Sequence, residues 1–96
     1  MKILKLKDII RSLYDLSDCI LYQGDVYTND HEQKWEEVYT GAVMGIPWYL
    51  LDYYITSTPD GGGIGCFIHI DNKRAYFDIY LCENKEMAKK YLKGEI

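Results

Sequence analysis

Only two histidines, two prolines and three cysteines occur among the 96 residues. Cys19, Cys66 and Cys82 are an odd number at wide spacings, whereas a secreted scaffold of this size more often carries about four to eight in a regular pattern. They are expected to be reduced and buried in a cytoplasmic protein, where a free thiol packs as a small apolar residue. No apolar run approaches the ~20 residues of a bilayer span, so no membrane association is expected. The opening residues MKILKLKDII intersperse lysines among apolar positions and lack a small-residue cleavage site, so they do not read as a signal peptide. Gly61, Gly62, Gly63 and Gly65 are followed by neither Lys-Ser/Thr nor a helix, as a phosphate-cradling loop requires. They read as a hairpin loop, since glycine supplies positive φ at no steric cost.

What remains is a chain that is 48% hydrophobic, enough for one modest core and hence a single domain spanning residues 1–96. Its 11 basic and 15 acidic residues leave a formal net charge of -4, unevenly spread. Residues 1–11 sum to +3 and residues 84–96 to +2, while residues 12–83 sum to -9. Such a middle repels phosphate backbones and attracts basic surfaces over a Debye length of ~8–10 Å. Direct nucleic-acid binding is therefore not expected.

Apolar residues at three- and four-residue steps (Ile3, Leu6, Ile9, Ile10, Leu13, Leu16) predict an amphipathic helix over about residues 3–15. An extended run from Cys19 to about Tyr27, a polar loop, and a returning strand from about Trp35 to Val43 follow. Gly45-Ile46-Pro47 predicts a turn into a short helix, with Trp48, Leu50 and Leu51 packed on the sheet. A third strand is expected over Tyr53 to Thr58. A fourth alternates Ile64, Cys66, Ile68 and Ile70 with Gly65, Phe67 and His69. The fifth sets Ala75, Phe77, Ile79 and Leu81 against Tyr76, Asp78 and Tyr80. Asn84 is placed to cap a last helix that ends at Gly94, with Met87, Ala88, Tyr91 and Leu92 buried. The expected fold is α+β: a five-stranded, largely antiparallel sheet with N- and C-terminal helices on one face, in the order αββ(α)βββα.

Few residues are spaced for catalysis. Cys66 and His69 are three apart and so face opposite ways on a strand, while His69 and Asp71 share a face but lack a nucleophile. His31, beside Asp30 and Glu32, lacks a second ligand pair at a metal-binding spacing. Neither a cofactor nor a metal is expected. Ten tyrosines are the main compositional oddity. Tyrosine suits half-buried sheet positions, and with tryptophan it is also enriched in protein interfaces. The segment from Asp30 to Glu37 adds clustered acids beside a tryptophan placed for exposure.

The stretch GAVMGIPWYLLDYYI, residues 41–55, with the leading helix and Val38-Tyr39-Thr40, resembles small phage and mobile-element proteins built on a "G…IP..LLD" core. In these a strand ends at the glycine, a short helix follows Ile-Pro, and a strand follows Leu-Leu-Asp. The motif is one of packing and transfers no catalytic residue. The resemblance implies a setting in which small acidic proteins inhibit host defence, anti-CRISPR proteins among them. The expected function is thus a non-enzymatic inhibitor of a host defence factor, anti-CRISPR-like, that occupies a basic nucleic-acid-binding groove on a host protein. Asp30, Glu32, Glu36 and Glu37 would supply charge and Trp35 buried contact, because Lys/Arg clusters that hold phosphates also accept carboxylates. An alternative is a nucleotide-binding or sponge protein using stacked aromatics with Lys73 or Arg74, and a third is a hydrolase using Cys66 or His69. A long edge strand would also admit a homodimer.

Overall fold

In the computed structural model, which describes residues 3–13, 18–27, 33–57, 66–71 and 74–94, side-chain surroundings are described for 3–11, 18–26, 34–57 and 78–94. The elements are α1 (Leu6–Leu13), β1 (Asp18–Tyr27), β2 (Gln33–Ala42), two 3-10 turns (Val43–Gly45 and Trp48–Asp52), β3 (Tyr54–Ile55), β4 (Cys66–Asp71), β5 (Arg74–Cys82) and α2 (Lys85–Leu92). The class is α+β. Strands lie side by side in the order β2-β1-β5-β3, and β4 pairs with β5 on the same edge as β3.

Two features depart from the expected arrangement. The central pair, β1 with β5, is parallel, running from Asp18 opposite Tyr76 to Gln23 opposite Leu81, while the other strand pairs are antiparallel. A parallel pair needs a long connection between its strands. Here β2, both turns, β3 and β4 lie within that connection. The second correction concerns the helices, which lie on opposite faces. Leu6 and Ile10 of α1 join Cys19, Leu21, Ile79 and Leu81 in one buried cluster. Ala88 and Tyr91 of α2 join Cys82 in another. Consecutive residues of a strand point to opposite faces, so Leu81 and Cys82 open onto the two cores.

Local chemistry explains the helix ends. The Asp8 carboxylate accepts from the Lys5 backbone N–H at 2.8 Å, half of a capping box. Helix α1 starts at Leu6 and not at Ile3, because residues before it run extended beside β3. The Leu6 N–H donates to the Tyr53 carbonyl at 2.9 Å, and the Ile55 N–H to that of Leu4 at 2.7 Å. At α2 the Asn84 side chain accepts from the Met87 N–H, and Gly94 ends the helix with φ +71°, where a Cβ would be strained. The expected third strand is shortened to two residues. Thr56 is fully buried, taking its N–H to the Tyr80 carbonyl and its hydroxyl to the Ala88 carbonyl at 2.7 Å.

Register shifts in the β1–β2 hairpin carry most of the irregular geometry. Between Leu21 and Tyr22 one shift lets Val38 and Tyr39, neighbours in sequence, both pack on the α1 core. At the other, Gly24 and Asp25 together oppose Trp35, a bulge that redirects the backbone. Gly24 is required there, since an added Cβ would stand 2.6 Å from the Trp35 indole. The bulge also turns the Asp25 carboxylate to α2, where it accepts the Glu83 and Asn84 backbone N–H groups at 3.0 and 2.7 Å.

Ile79 and Leu81 are buried as the alternation predicts; the Phe77 side chain lies outside the described ones. Ile79→Ala or Leu81→Ala is expected to lower the unfolding free energy by about 2–5 kcal/mol in urea titrations. Gly24→Ala, though it adds a single methyl, should cost about 1–3 kcal/mol by displacing Trp35.

Candidate functional site

Among the described residues no three His, Cys, Asp or Glu side chains are grouped to hold a metal ion. Burial pushes the Cys19 thiol up to about 11. Burial, then the negative charge of Asp25, pushes that of Cys82 up to about 12, a backbone hydrogen bond with Gly24 acting in the opposite sense. At neutral pH both are therefore protonated thiols packed in the cores. Cys66 and His69 sit on β4 across from Ile79 and Tyr76. Their side chains lie outside the described ones, as do those of His31, Lys73 and Arg74.

The acidic segment is only partly in view. Asp30 and Glu32 lie outside the described residues, and Glu36 and Glu37 are exposed on β2. Glu36 stands opposite Gln23 and Glu37 opposite Tyr22, so the two adjacent carboxylates point to different faces of the sheet. Trp35 is half-buried, where an exposed contact residue was expected. Its ring meets Tyr80 edge-on at 5.3 Å and Tyr91 at 4.9 Å, and Tyr80 in turn stacks on Tyr22 at 5.0 Å. The Tyr91 hydroxyl donates to the Gly24 carbonyl at 3.0 Å. Trp35 thus serves the α2 core. Strand β2 lies at the sheet edge, where Lys34, Glu36, Glu37 and the two register shifts hinder pairing with another strand.

Exposed aromatic surface is found elsewhere, on the two 3-10 turns after β2. Met44 is 76% exposed, Trp48 78% and Tyr49 48%. The segment that carries them is held firmly from beneath by Val43 and Leu50, both in the α1 core. The Ile46 N–H donates to the Val43 carbonyl, that of Leu50 to Pro47, and that of Tyr53 to Leu50. The Tyr39 hydroxyl donates to the Ala42 carbonyl at 2.6 Å. A Cβ at Gly45 would stand 2.8 Å from that hydroxyl, and Gly41 has φ +147°. Position 41 therefore favours glycine by its backbone, and a side chain at position 45 would have to displace the Tyr39 hydroxyl. Lys7, on α1, meets Asp52 at 3.3 Å and ties the helix to the second turn.

This arrangement corrects the expected packing of Trp48 on the sheet. A 3-10 turn has three residues per turn, so with Leu50 facing the core Trp48 and Tyr49 take the other two sides, Trp48 in line with the half-buried Leu51. Trp48 then meets Tyr49 edge-to-face at 6.4 Å, and Tyr49 meets Tyr53 at 6.2 Å. A hydrophobic trio on a fixed backbone is what a protein contact uses, because few side chains lose freedom on binding. In sequence, the one available signal was Pro47, which starts a turn too short to bury every apolar residue after it.

No family model, no curated protein and no solved structure matches the chain. The site is thus read from its own geometry.

The two tryptophans should separate cleanly by mutation. Trp48→Ala is expected to leave the unfolding free energy within about 0.5 kcal/mol of the parent, as exposed positions do. Trp35→Ala should cost about 2–4 kcal/mol, by opening a void against Tyr80, Tyr91 and Gly24. Thermal and urea unfolding of both variants measure the contrast.

Proposed function

We propose that the chain is a non-enzymatic protein-binding domain whose contact core is Met44, Trp48 and Tyr49. The supporting observation is the 78% exposure of Trp48 on a backbone anchored at Val43 and Leu50. Aromatic side chains that meet a partner in this way carry a large share of binding energy and lose little conformational freedom. A catalytic reading gains no such support, since both described thiols are buried and held protonated.

A more specific form of the proposal is inhibition of a host defence factor, through a basic nucleic-acid-binding groove as the anti-CRISPR resemblance implies. It draws on the -9 charge of residues 12–83 and on the exposed Glu36 and Glu37. In that form the acids steer the encounter over a Debye length while the Trp48 turn makes the close contact. Trp35, once proposed for that contact, is assigned instead to the fold.

The test is affinity capture from the organism that encodes the chain, followed by titration of the captured protein against the parent and Trp48→Ala. The proposal expects at least a tenfold loss of affinity, about 1.4 kcal/mol, with the fold retained. Equal affinities would remove the contact core from its assigned role.

A further inference from the structure

We propose that the run Trp48–Tyr49–Tyr53, with the Glu83 carboxylate at its inner end, reads a cation, and that the partner docks an arginine- or lysine-bearing segment there. This rests on the protein-binding reading and adds the chemistry the partner must present.

The geometry begins with the rings. Trp48 on Tyr49 and Tyr49 on Tyr53 are both edge-to-face contacts, at 87° and 64° between planes, so no flat stack seals the run. Indole and phenol faces are electron-rich and attract a guanidinium or ammonium within about 6 Å. The neighbouring Tyr54, which packs on the α2 side, makes such a contact, the Lys5 ammonium standing 5.4 Å from the centre of its ring.

Charge adds to the rings. In β3 and β5, Tyr54 lies opposite Cys82 and Ile55 opposite Leu81. Tyr53 and Glu83 are the next residues outward on the two chains, each adjoining the last pair, Tyr54 and Cys82. Burial, then the negative charge of Glu83, holds the Tyr53 phenol above its usual range. The other carboxylates around the turn are committed. Asp52 meets Lys7 and Lys5, Asp8 caps α1, and Asp25 takes two backbone amides at α2. Glu83 is exposed, and its carboxylate meets no cation among the described residues.

Size and net charge decide the occupant. An aromatic side chain offers about 150–250 Å², so three partly exposed residues fall well short of the ~800 Å² that each partner contributes to a standard interface. Apolar contact alone therefore does not complete the interface, and a charged rim must add to it. A second copy would bring another net charge of -4 and another Glu83 to the same place. A basic segment brings the opposite sign.

The experiment titrates the intact chain with two N-acetylated, C-amidated pentapeptides, glycine throughout except at positions two and four. One carries arginine there and the other citrulline, its neutral isostere. The Trp48 indole N–H resonance, assigned by its loss in Trp48→Phe, reports binding. The expected result is a saturable shift with the arginine peptide and at least tenfold less with citrulline at equal concentration. Glu83→Gln should weaken arginine binding threefold or more, while Glu36→Gln, the same charge change on β2, leaves it unaltered. Equal shifts with both peptides, no shift with either, or equal weakening by the two substitutions would overturn the proposal. So would movement of the resonance with protein concentration alone, which would assign the surface to a second copy. None of these outcomes touches the protein-binding reading, which fails only if Trp48→Ala keeps its affinity for the captured partner.

Discussion

Side-by-side pairing of β1 with β5, in the same direction, fixes which residues share a face, and the remaining elements are arranged on the two faces it creates. With Leu21 opposite Ile79 and Gln23 opposite Leu81, one face is sealed by α1 and the two 3-10 turns. The alternate residues, Tyr22, Tyr80 and Cys82, open onto the other, which α2 closes. A central parallel pair is stable when both its faces are covered. Each cover includes a helix of only eight residues.

Helices so short contribute little stability by themselves, so polar joints at their ends matter more than usual. Asp25 is such a joint. It reaches α2 only because Gly24 and Asp25 bulge out opposite Trp35, and the bulge exists only because Gly24 admits the indole. On the far face, Val43 and Leu50 sink into the α1 core at either end of the Met44–Tyr49 surface. The glycines at 41 and 45 let Tyr39 lie close beneath it. Trp48 is thus carried on a backbone anchored in the core on both sides of it.

Periodicity made the elements legible but not their neighbours. Leu6 and Ile10, four apart, marked the buried stripe of α1, and Ile79 and Leu81, two apart, marked the core face of β5. Asn84 and Gly94 marked the ends of α2 through local chemistry alone. Alternation says which side chains share a face but not which strand lies alongside, so the parallel β1–β5 pair was hidden, and with it the split of the helices. The two tryptophans exchanged their expected roles for a related reason. Trp35 is half-buried, its indole seated over the glycine across the hairpin, a pairing visible only once the register is known. Trp48 is exposed while Leu50, two residues on, takes the core side of the same turn. Of the five residues first proposed for partner contact, Glu36 and Glu37 are exposed, on different faces of an edge strand.

The central claim is that the Met44–Tyr49 surface is a fixed platform and not a loose loop that happens to be greasy. Amide hydrogen exchange measures this directly, because the N–H groups of Ile46, Leu50 and Tyr53 each close a turn within the segment. Leu50 is 1% exposed, so freeing its amide means unseating a core side chain. The account predicts that the Leu50 and Tyr53 amides exchange at least about 100-fold slower than in an unstructured peptide. Exchange at the free-peptide rate, while the β1 and β5 amides stay protected, would contradict it.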